Sequence, residues 1–162
     1  MEDDFQNGAG HELIAHPNVN LTWAENTHTH TKYYLFDDNQ LITGSINIED
    51  RHRGYFDYML HLVADNLGEH FRARESGENE PDPEREIEFF FNQTMHGQKR
   101  FEIKSMLLQM LNEANETLHI EVAYIGDPDI NKAIIAAAKR GVEVNLLLSE
   151  KANIGNDNNY RS

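Results

Sequence analysis

The stretch that decides the fold is HTHTKYYLFDDNQLITGSIN, residues 28–47. Its first part, residues 28–36, is rich in threonine, tyrosine and apolar residues, which favour a β-strand. Residues 37–40, Asp-Asp-Asn-Gln, are common in turns, and residues 41–47 then favour a second strand. The pattern therefore predicts a β-hairpin with a short acidic turn.

Five polar side chains of this hairpin predict a site for phosphate chemistry. Side chains two residues apart on a strand share a face, so His28, His30 and Lys32 should point the same way. Ser45 and Asn47 should do the same on the return strand. Histidine can act as a nucleophile or proton carrier, lysine supplies positive charge, and serine and asparagine add neutral donors, which together suit phosphoryl transfer. A solvated histidine-rich edge strand, or a weak metal site at His28 and His30, stays open as an alternative.

Beyond the hairpin, the sequence predicts two structured blocks joined by an acidic segment. A mostly apolar strand over residues 55–64 and a short helix starting near Asp65 complete the first block, 1–74. The segment 75–88, ESGENEPDPEREIE, carries seven acidic residues and is typical of a solvated linker. The second block is then residues 89–162.

The second block shows a helix–strand–helix–strand pattern. We predict a helix over 98–116, a strand over 117–125, a helix that starts at Asp127-Pro128 and ends just before Gly141, and a strand over 142–148. Such a unit implies parallel strands with a right-handed crossover. The apolar positions expected to face a core are Ile103, Leu107, Met110, Leu111 and Ala114 in the first helix, and Ile130, Ile134, Ile135 and Ala138 in the second.

Charge and composition limit the partners of the chain. The net charge is −14, so the surface as a whole should repel nucleic acid and anionic membranes, and any anion site must be a local positive pocket. The absence of cysteine excludes disulfides and thiolate zinc sites. No apolar run approaches the ~18 residues of a membrane span, and the acidic start is unlike a signal peptide. A cytoplasmic location is therefore expected.

The hairpin also carries a longer pattern of fixed spacing: His30-x-Lys32-x4-Asp37-x6-Gly44-Ser45-x-Asn47. This pattern matches the HxKx4Dx6GSxN signature, so the chain resembles the phospholipase D superfamily. The second block resembles the opening of a further repeat and is most similar to bacterial cardiolipin synthases. The resemblance implies an α/β fold in which a mixed sheet is flanked by helices, as an incomplete or permuted repeat.

The resemblance implies a role for each motif residue. His30 would either attack phosphorus to form a phosphohistidine or protonate the leaving oxygen. Lys32 and Asn47 would bind the non-bridging phosphate oxygens, and Ser45 would line the pocket. Asp37 is part of the catalytic motif and would have a mainly structural or ion-pairing role there.

Asp57 completes the candidate catalytic set. Many members of the superfamily place a glutamate at nearly this distance after the motif asparagine, where it binds the catalytic histidine. A buried carboxylate beside His30 would fix its tautomer and favour the imidazolium. The alternative for Asp57 is a strand-edge carboxylate paired with Arg51 or Arg53.

One departure from the superfamily matters. Its active sites use two motifs, and this sequence holds one, because no other histidine has a lysine two residues later. The motif half also precedes a helical half, so we expect the chain to span the end of one repeat (1–74), a linker (75–88) and the start of the next (89–162). A homodimer, or an exchange of halves between two chains, would bring in a second motif.

The expected function is that of a phosphodiester hydrolase or phosphatidyltransferase acting through a phosphohistidine, with a phospholipid or another phosphodiester as substrate. The resemblance implies no metal and no cofactor, since Lys32 and its partner supply the charge. We expect these 162 residues alone to be inactive unless they dimerise. The alternatives are a nuclease, which the acidic balance disfavours, and a non-catalytic binding module. A peripheral position on a membrane is compatible with the first of these functions.

Overall fold

The hairpin predicted from residues 28–47 is present in the computed structural model of the chain. The chain forms two units, Met1–Leu67 and Gly68–Ser162. Within the described part of the chain, no helix has the length and apolarity needed to cross a membrane. The structure describes residues 10–23, 29–48, 54, 57–82, 84–95, 98–123 and 125–149.

The α/β class is confirmed, since the described residues form four helices and three sheets. The helices are α1 (Gly10–Ala15), α2 (Leu67–Ser76), α3 (Glu102–Glu113) and α4 (Pro128–Lys139). The strands are β1 (Tyr33–Phe36), β2 (Gln40–Gly44), β3 (Met59–Val63), β4 (Asn92–Met95), β5 (Gln98–Phe101), β6 (Thr117–Val122) and β7 (Glu143–Leu148).

The first unit contains an antiparallel sheet in the order β1–β2–β3. Leu35, Leu41 and Leu62 lie side by side across the three strands, and Leu41 on the central strand is fully buried. β1 begins at Tyr33, later than predicted. Hairpin pairing stops near Lys32, whose carbonyl accepts the last cross-strand bond, from the Gly44 N–H at 3.4 Å.

In the second unit, the predicted start of the helix over 98–116 is wrong. Residues Gln98–Phe101 form strand β5, which pairs antiparallel with β4, and helix α3 begins only at Glu102. Two bonds hold this junction, since the Glu102 N–H donates to the Phe91 carbonyl at 3.1 Å and the Phe91 N–H donates to the Glu102 carboxylate at 2.9 Å.

The predicted parallel strand–helix–strand unit is confirmed by β6, α4 and β7. Asp127 caps α4, because its carboxylate accepts the N–H groups of Asp129 at 2.9 Å and Ile130 at 3.2 Å. Gly141 ends the helix with a positive φ of 97°, which only glycine adopts without strain. The core of this unit consists of Leu111, Ala133 and Ile134, and packed against them are Leu108, Leu118, Ile120, Ile125, Ile130 and Val144.

The predicted core face of α3 is only partly correct. Leu111 is buried, but Ile103, Leu107 and Met110 remain 41, 45 and 57% exposed. Polar ties to α4 set the rotation of α3: the Lys104 ammonium lies 2.9 Å from the Asp127 carboxylate, at the start of both helices. Ile135 of α4, also predicted to face the core, is exposed in the same way.

A second tie joins the other ends of these two helices. The Arg140 guanidinium, just after α4, donates to the carbonyls of Leu111 at 2.8 Å and Ala114 at 3.2 Å, at the end of α3. Helices α3 and α4 therefore run parallel and are fastened at both ends.

Helix α2 carries a buried arginine that is surrounded by acceptors. Arg74 is 0% exposed. Its Nε donates to Glu88 at 3.0 Å, and its Nη2 donates to Glu102 at 2.8 Å and to the Phe89 carbonyl at 3.0 Å. Its Nη1 donates to the Asn79 carbonyl. Two carboxylates and two carbonyls thus neutralise and satisfy one buried guanidinium.

Glu88 is the last residue of the predicted acidic linker, and it is not solvated. Its side chain is 7% exposed and accepts the N–H groups of Asp82 and Phe89, each at 2.7 Å. The Nε2 atom of His70 lies 3.1 Å from the same carboxylate. The far end of the acidic segment is therefore built into the second unit through its contacts with Arg74.

The two carboxylates that face Arg74 should make the stability of the second unit depend on pH. For Glu88 and Glu102, burial acts to raise the pKa, but backbone N–H donors and arginine side chains outweigh it and hold each pKa below its ordinary value of 4.5. The unfolded chain then binds more protons in acid, so this contribution is complete above the ordinary pKa and is lost as the pH falls through the folded-state values.

Urea unfolding between about pH 7 and about pH 3, followed by circular dichroism, measures this dependence. Each unit of pKa depression corresponds to about 1.4 kcal/mol. In Glu88→Gln, the free energy of unfolding should fall less between neutral and acid pH than in the wild type. Glu86→Gln changes an exposed side chain of the same segment and should keep the wild-type pH dependence. Identical pH dependence in all three proteins would contradict the assignment.

Candidate functional site

The direction of the strands brings the motif residues to one end of the β1–β2–β3 sheet. His30 and Lys32 come just before β1, Ser45 and Asn47 just after β2, and Asp57 just before β3. In an antiparallel sheet the start of β1, the end of β2 and the start of β3 lie at the same end. His28, the third polar residue of the predicted first strand, lies outside the described residues.

Lys32 is held by the hairpin through its backbone. Its carbonyl accepts the Thr43 hydroxyl at 3.0 Å, in addition to the Gly44 N–H. Its ammonium donates to the His30 carbonyl at 2.5 Å, so this side chain folds back along the segment that carries the histidine. The prediction that His30 and Lys32 lie on the first strand is wrong, because both precede β1. Thr43 was missed by the sequence reasoning, since its contact depends on the hairpin register.

Asp57 meets the motif at Ser45. The Ser45 hydroxyl donates to the Asp57 carboxylate, and the Tyr58 N–H donates to the same oxygen at 2.8 Å. Asp57 is half-buried, while Ser45 is exposed. The alternative partners of Asp57, Arg51 and Arg53, lie outside the described residues.

Gly44 is required by the close approach of β3. A Cβ atom at this position would stand 2.5 Å from the Tyr58 carbonyl oxygen and 3.0 Å from the Met59 Cα, both of them backbone atoms. Only glycine lets the chain before β3 run this close to the end of β2. The glycine of the motif is therefore what allows Asp57 to reach Ser45.

Asp37 lies at the opposite end of the hairpin. It occupies the turn between β1 and β2 with a positive φ of 47°, followed by Asp38 at 59°, and the Asn39 N–H donates to the Phe36 carbonyl at 3.3 Å. Two positive φ values in succession are typical of a type I′ turn, which aspartate tolerates. The four residues of β1, about 13 Å of strand, separate Asp37 from Lys32, so the structure does not bring it to the other motif residues.

The arrangement is suited to binding an anion. Lys32 can place a positive charge, and Ser45 and Asn47 can place neutral donors, at the sheet end where His30 lies. The Asp57 carboxylate adds an acceptor that can orient a donor group. Among the described residues, no group of three histidine, aspartate or glutamate side chains could hold a metal ion.

Residues 107–162 match a family model described as cardiolipin synthase, PLD-like domain. No curated protein matches the chain, and no solved structure does. The matched region includes most of α3, all of β6, α4 and β7, and none of the motif residues 30–47. The motif at residues 30–47 and the match at residues 107–162 are separate parts of the chain, and both resemble phospholipase D-like proteins. Residues 107–162 are therefore similar to the PLD-like domain of cardiolipin synthase.

Proposed function

We propose that the chain is a phospholipase D-like phosphodiesterase or phosphatidyltransferase that acts through a phosphohistidine at His30. The observation that supports this proposal is the end of the β1–β2–β3 sheet, where Ser45 bonds Asp57 and the Lys32 ammonium bonds the His30 carbonyl. The family match over residues 107–162 supports it independently, because it includes none of these residues.

The proposed reaction has two steps. A ring nitrogen of His30 attacks phosphorus while Lys32 and Asn47 hold the non-bridging oxygens. The bond from phosphorus to the leaving alcohol oxygen breaks, and that oxygen takes a proton from a second histidine. Attack by water on the phosphohistidine then gives hydrolysis, and attack by an alcohol gives transfer, with the proton of the attacking hydroxyl passing to the second histidine. In both cases the phosphorus–nitrogen bond breaks and returns the imidazole.

The second histidine is not supplied by another motif in these 162 residues. A second copy of the chain would supply it, since each copy carries one motif. A phospholipid substrate is compatible with the description of the matched family, and we propose a cytoplasmic enzyme that binds the membrane peripherally. The net charge of −14 makes nucleic acid the weaker substrate class. The single motif copy favours a non-catalytic phosphate-binding module as the second candidate.

Trapping the intermediate tests the proposal. The full chain, incubated with phosphatidylglycerol carrying labelled phosphate and quenched in alkali, should retain label in an acid-labile linkage. His30→Asn should retain none, because asparagine has no nucleophilic nitrogen. His61→Asn, on β3 of the same sheet and outside the motif, should keep the wild-type level.

The other outcomes separate the alternatives. Label from a single-stranded oligonucleotide, and not from the lipid, would indicate a nuclease. Binding of a phosphate ester without label transfer would favour the non-catalytic module. Equal labelling of the wild type and His30→Asn would contradict the role of His30.

A further inference from the structure

The two-stranded sheet of the second unit has an open edge on β6. Strand β6 pairs on one side with β7, and within the described ranges no strand pairs with its other side. Parallel strands are normally buried inside larger sheets, and a two-stranded sheet is marginal in water. The backbone N–H and C=O groups along such an edge can pair with another strand.

The sequence of β6 is complementary to itself when it is read antiparallel about Ile120. In this register His119 stands opposite the partner subunit's Glu121, and by symmetry the same pair forms twice. Leu118 stands opposite the partner subunit's Val122, and the two copies of Ile120 face each other. Hydrogen-bonded polar pairs, such as histidine with glutamate, and apolar pairs both stabilise antiparallel strands.

The two faces of β6 agree with this register. Leu118 and Ile120 are half-buried against the helices, whereas His119 and Glu121 alternate with them and are exposed on the other face. In the paired sheet, apolar side chains would therefore continue on the face that packs against the helices, and polar side chains on the opposite face.

Strand β7 does not have this property. The same operation about Leu146 places Asn145 opposite Leu147 of the second copy, a polar side chain against an apolar one. In their central registers, the sequences of the two strands thus favour β6 over β7 as the edge that pairs with its own copy.

Helix α3 carries a matching apolar surface. Ile103, Leu107 and Met110 form an exposed stripe along one flank, about a quarter turn around the helix from the side that carries Lys104 and Leu111. Because Leu111 packs with Ala133 and Ile134 of α4, the stripe lies beside the contact with α4 and not within it. Two such helices placed antiparallel would set Leu107 against its own copy and Ile103 against Met110.

We propose that a second copy of this chain docks along β6, with antiparallel pairing about a two-fold axis at Ile120. The four strands then run in the order β7–β6–β6–β7, and the two α3 helices meet over the sheet through their stripes. The same two-fold axis would bury both the open edge of β6 and the apolar stripe of α3. The interface is isologous, as expected for a two-fold dimer.

Sedimentation velocity and light scattering on the full chain test the interface. The wild type should be dimeric. His119→Glu places two carboxylates opposite each other twice, and should weaken dimerisation by about tenfold or more. The double swap His119→Glu with Glu121→His re-forms both histidine–glutamate pairs and should restore the dimer. Ser105→Glu, on an exposed polar position of α3, adds the same charge elsewhere and should leave the dimer unchanged.

Leu107→Glu is a second test variant. It should not disturb folding, because the Leu107 side chain is already half exposed. It should give a folded monomer by circular dichroism. A wild type that is monomeric at all concentrations would overturn the proposal. So would a dimer that persists in both His119→Glu and Leu107→Glu, or a charge swap that fails to restore pairing.

Discussion

Arg74→Ala is expected to destabilise the second unit by about 3–5 kcal/mol, because it leaves the buried Glu88 carboxylate without its arginine. Arg74 binds Glu88 through Nε and Glu102 through Nη2, and Glu102 keeps a second arginine, Arg100, at 2.6 Å. The other donors of Arg74 bond the carbonyls of Asn79 and Phe89, which the alanine variant would leave unpaired. Urea unfolding of the full chain at neutral pH measures the loss.

Arg72→Ala is the matched control, since it removes an arginine from an exposed position of the same helix. It should change the free energy of unfolding by no more than about 0.5 kcal/mol. Arg74→Ala combined with Glu88→Gln should be less damaging than the sum of the two single changes, because the pair is coupled. A loss below about 1 kcal/mol for Arg74→Ala would show that the network contributes little.

Gly44→Ala is expected to cost about 1–3 kcal/mol in the first unit and to separate Ser45 from Asp57. The added Cβ would overlap the Tyr58 carbonyl oxygen and the Met59 backbone, which cannot rotate away as a side chain would. The start of β3 must move to make room, and Asp57 immediately precedes it. Urea unfolding gives the stability, and hydrogen exchange of the Tyr58 N–H, which donates to Asp57, reports on the site.

Gly54→Ala is the control for this change. An added Cβ at Gly54 meets no atom within 4 Å. Its unfolding free energy should remain within about 0.5 kcal/mol of the wild type, with unchanged exchange at Tyr58. Faster exchange at Tyr58 in Gly44→Ala alone would support the steric explanation, and equal exchange in both variants would contradict it.

The elements that could be predicted from sequence are those specified by local chemistry. The aspartates at 37 and 38 mark the hairpin turn because they tolerate positive φ. Asp127 and Gly141 bracket α4 because one caps its first N–H groups and the other ends it. Each of these signals depends on residues a few positions away, so a single sequence contains it.

The elements that were missed depend on distant residues. Gln98–Phe101 directly precedes the helical apolar pattern that starts at Ile103, but its pairing with β4 makes it a strand. Leu107 belongs to a wide apolar arc of α3, and the contacts of α4 decide which part of that arc is covered. At the candidate site, the motif spacing identified the candidate residues. The bonds from Thr43 and Gly44 to the Lys32 carbonyl could not be predicted, because they depend on how β1 and β2 pair. The catalytic roles of the candidate residues stay predictions.

The contact between Arg74 and Glu88 also determines how the acidic segment responds to changes in its length. Glu88 closes the segment onto the helix from which it departs, so residues 77–87 form a loop tethered at both ends. The entropic cost in free energy of closing such a loop grows only with the logarithm of its length, by about 0.6 kcal/mol for each doubling. The tether, and not the number of residues between its ends, therefore carries the free energy that keeps this loop in place.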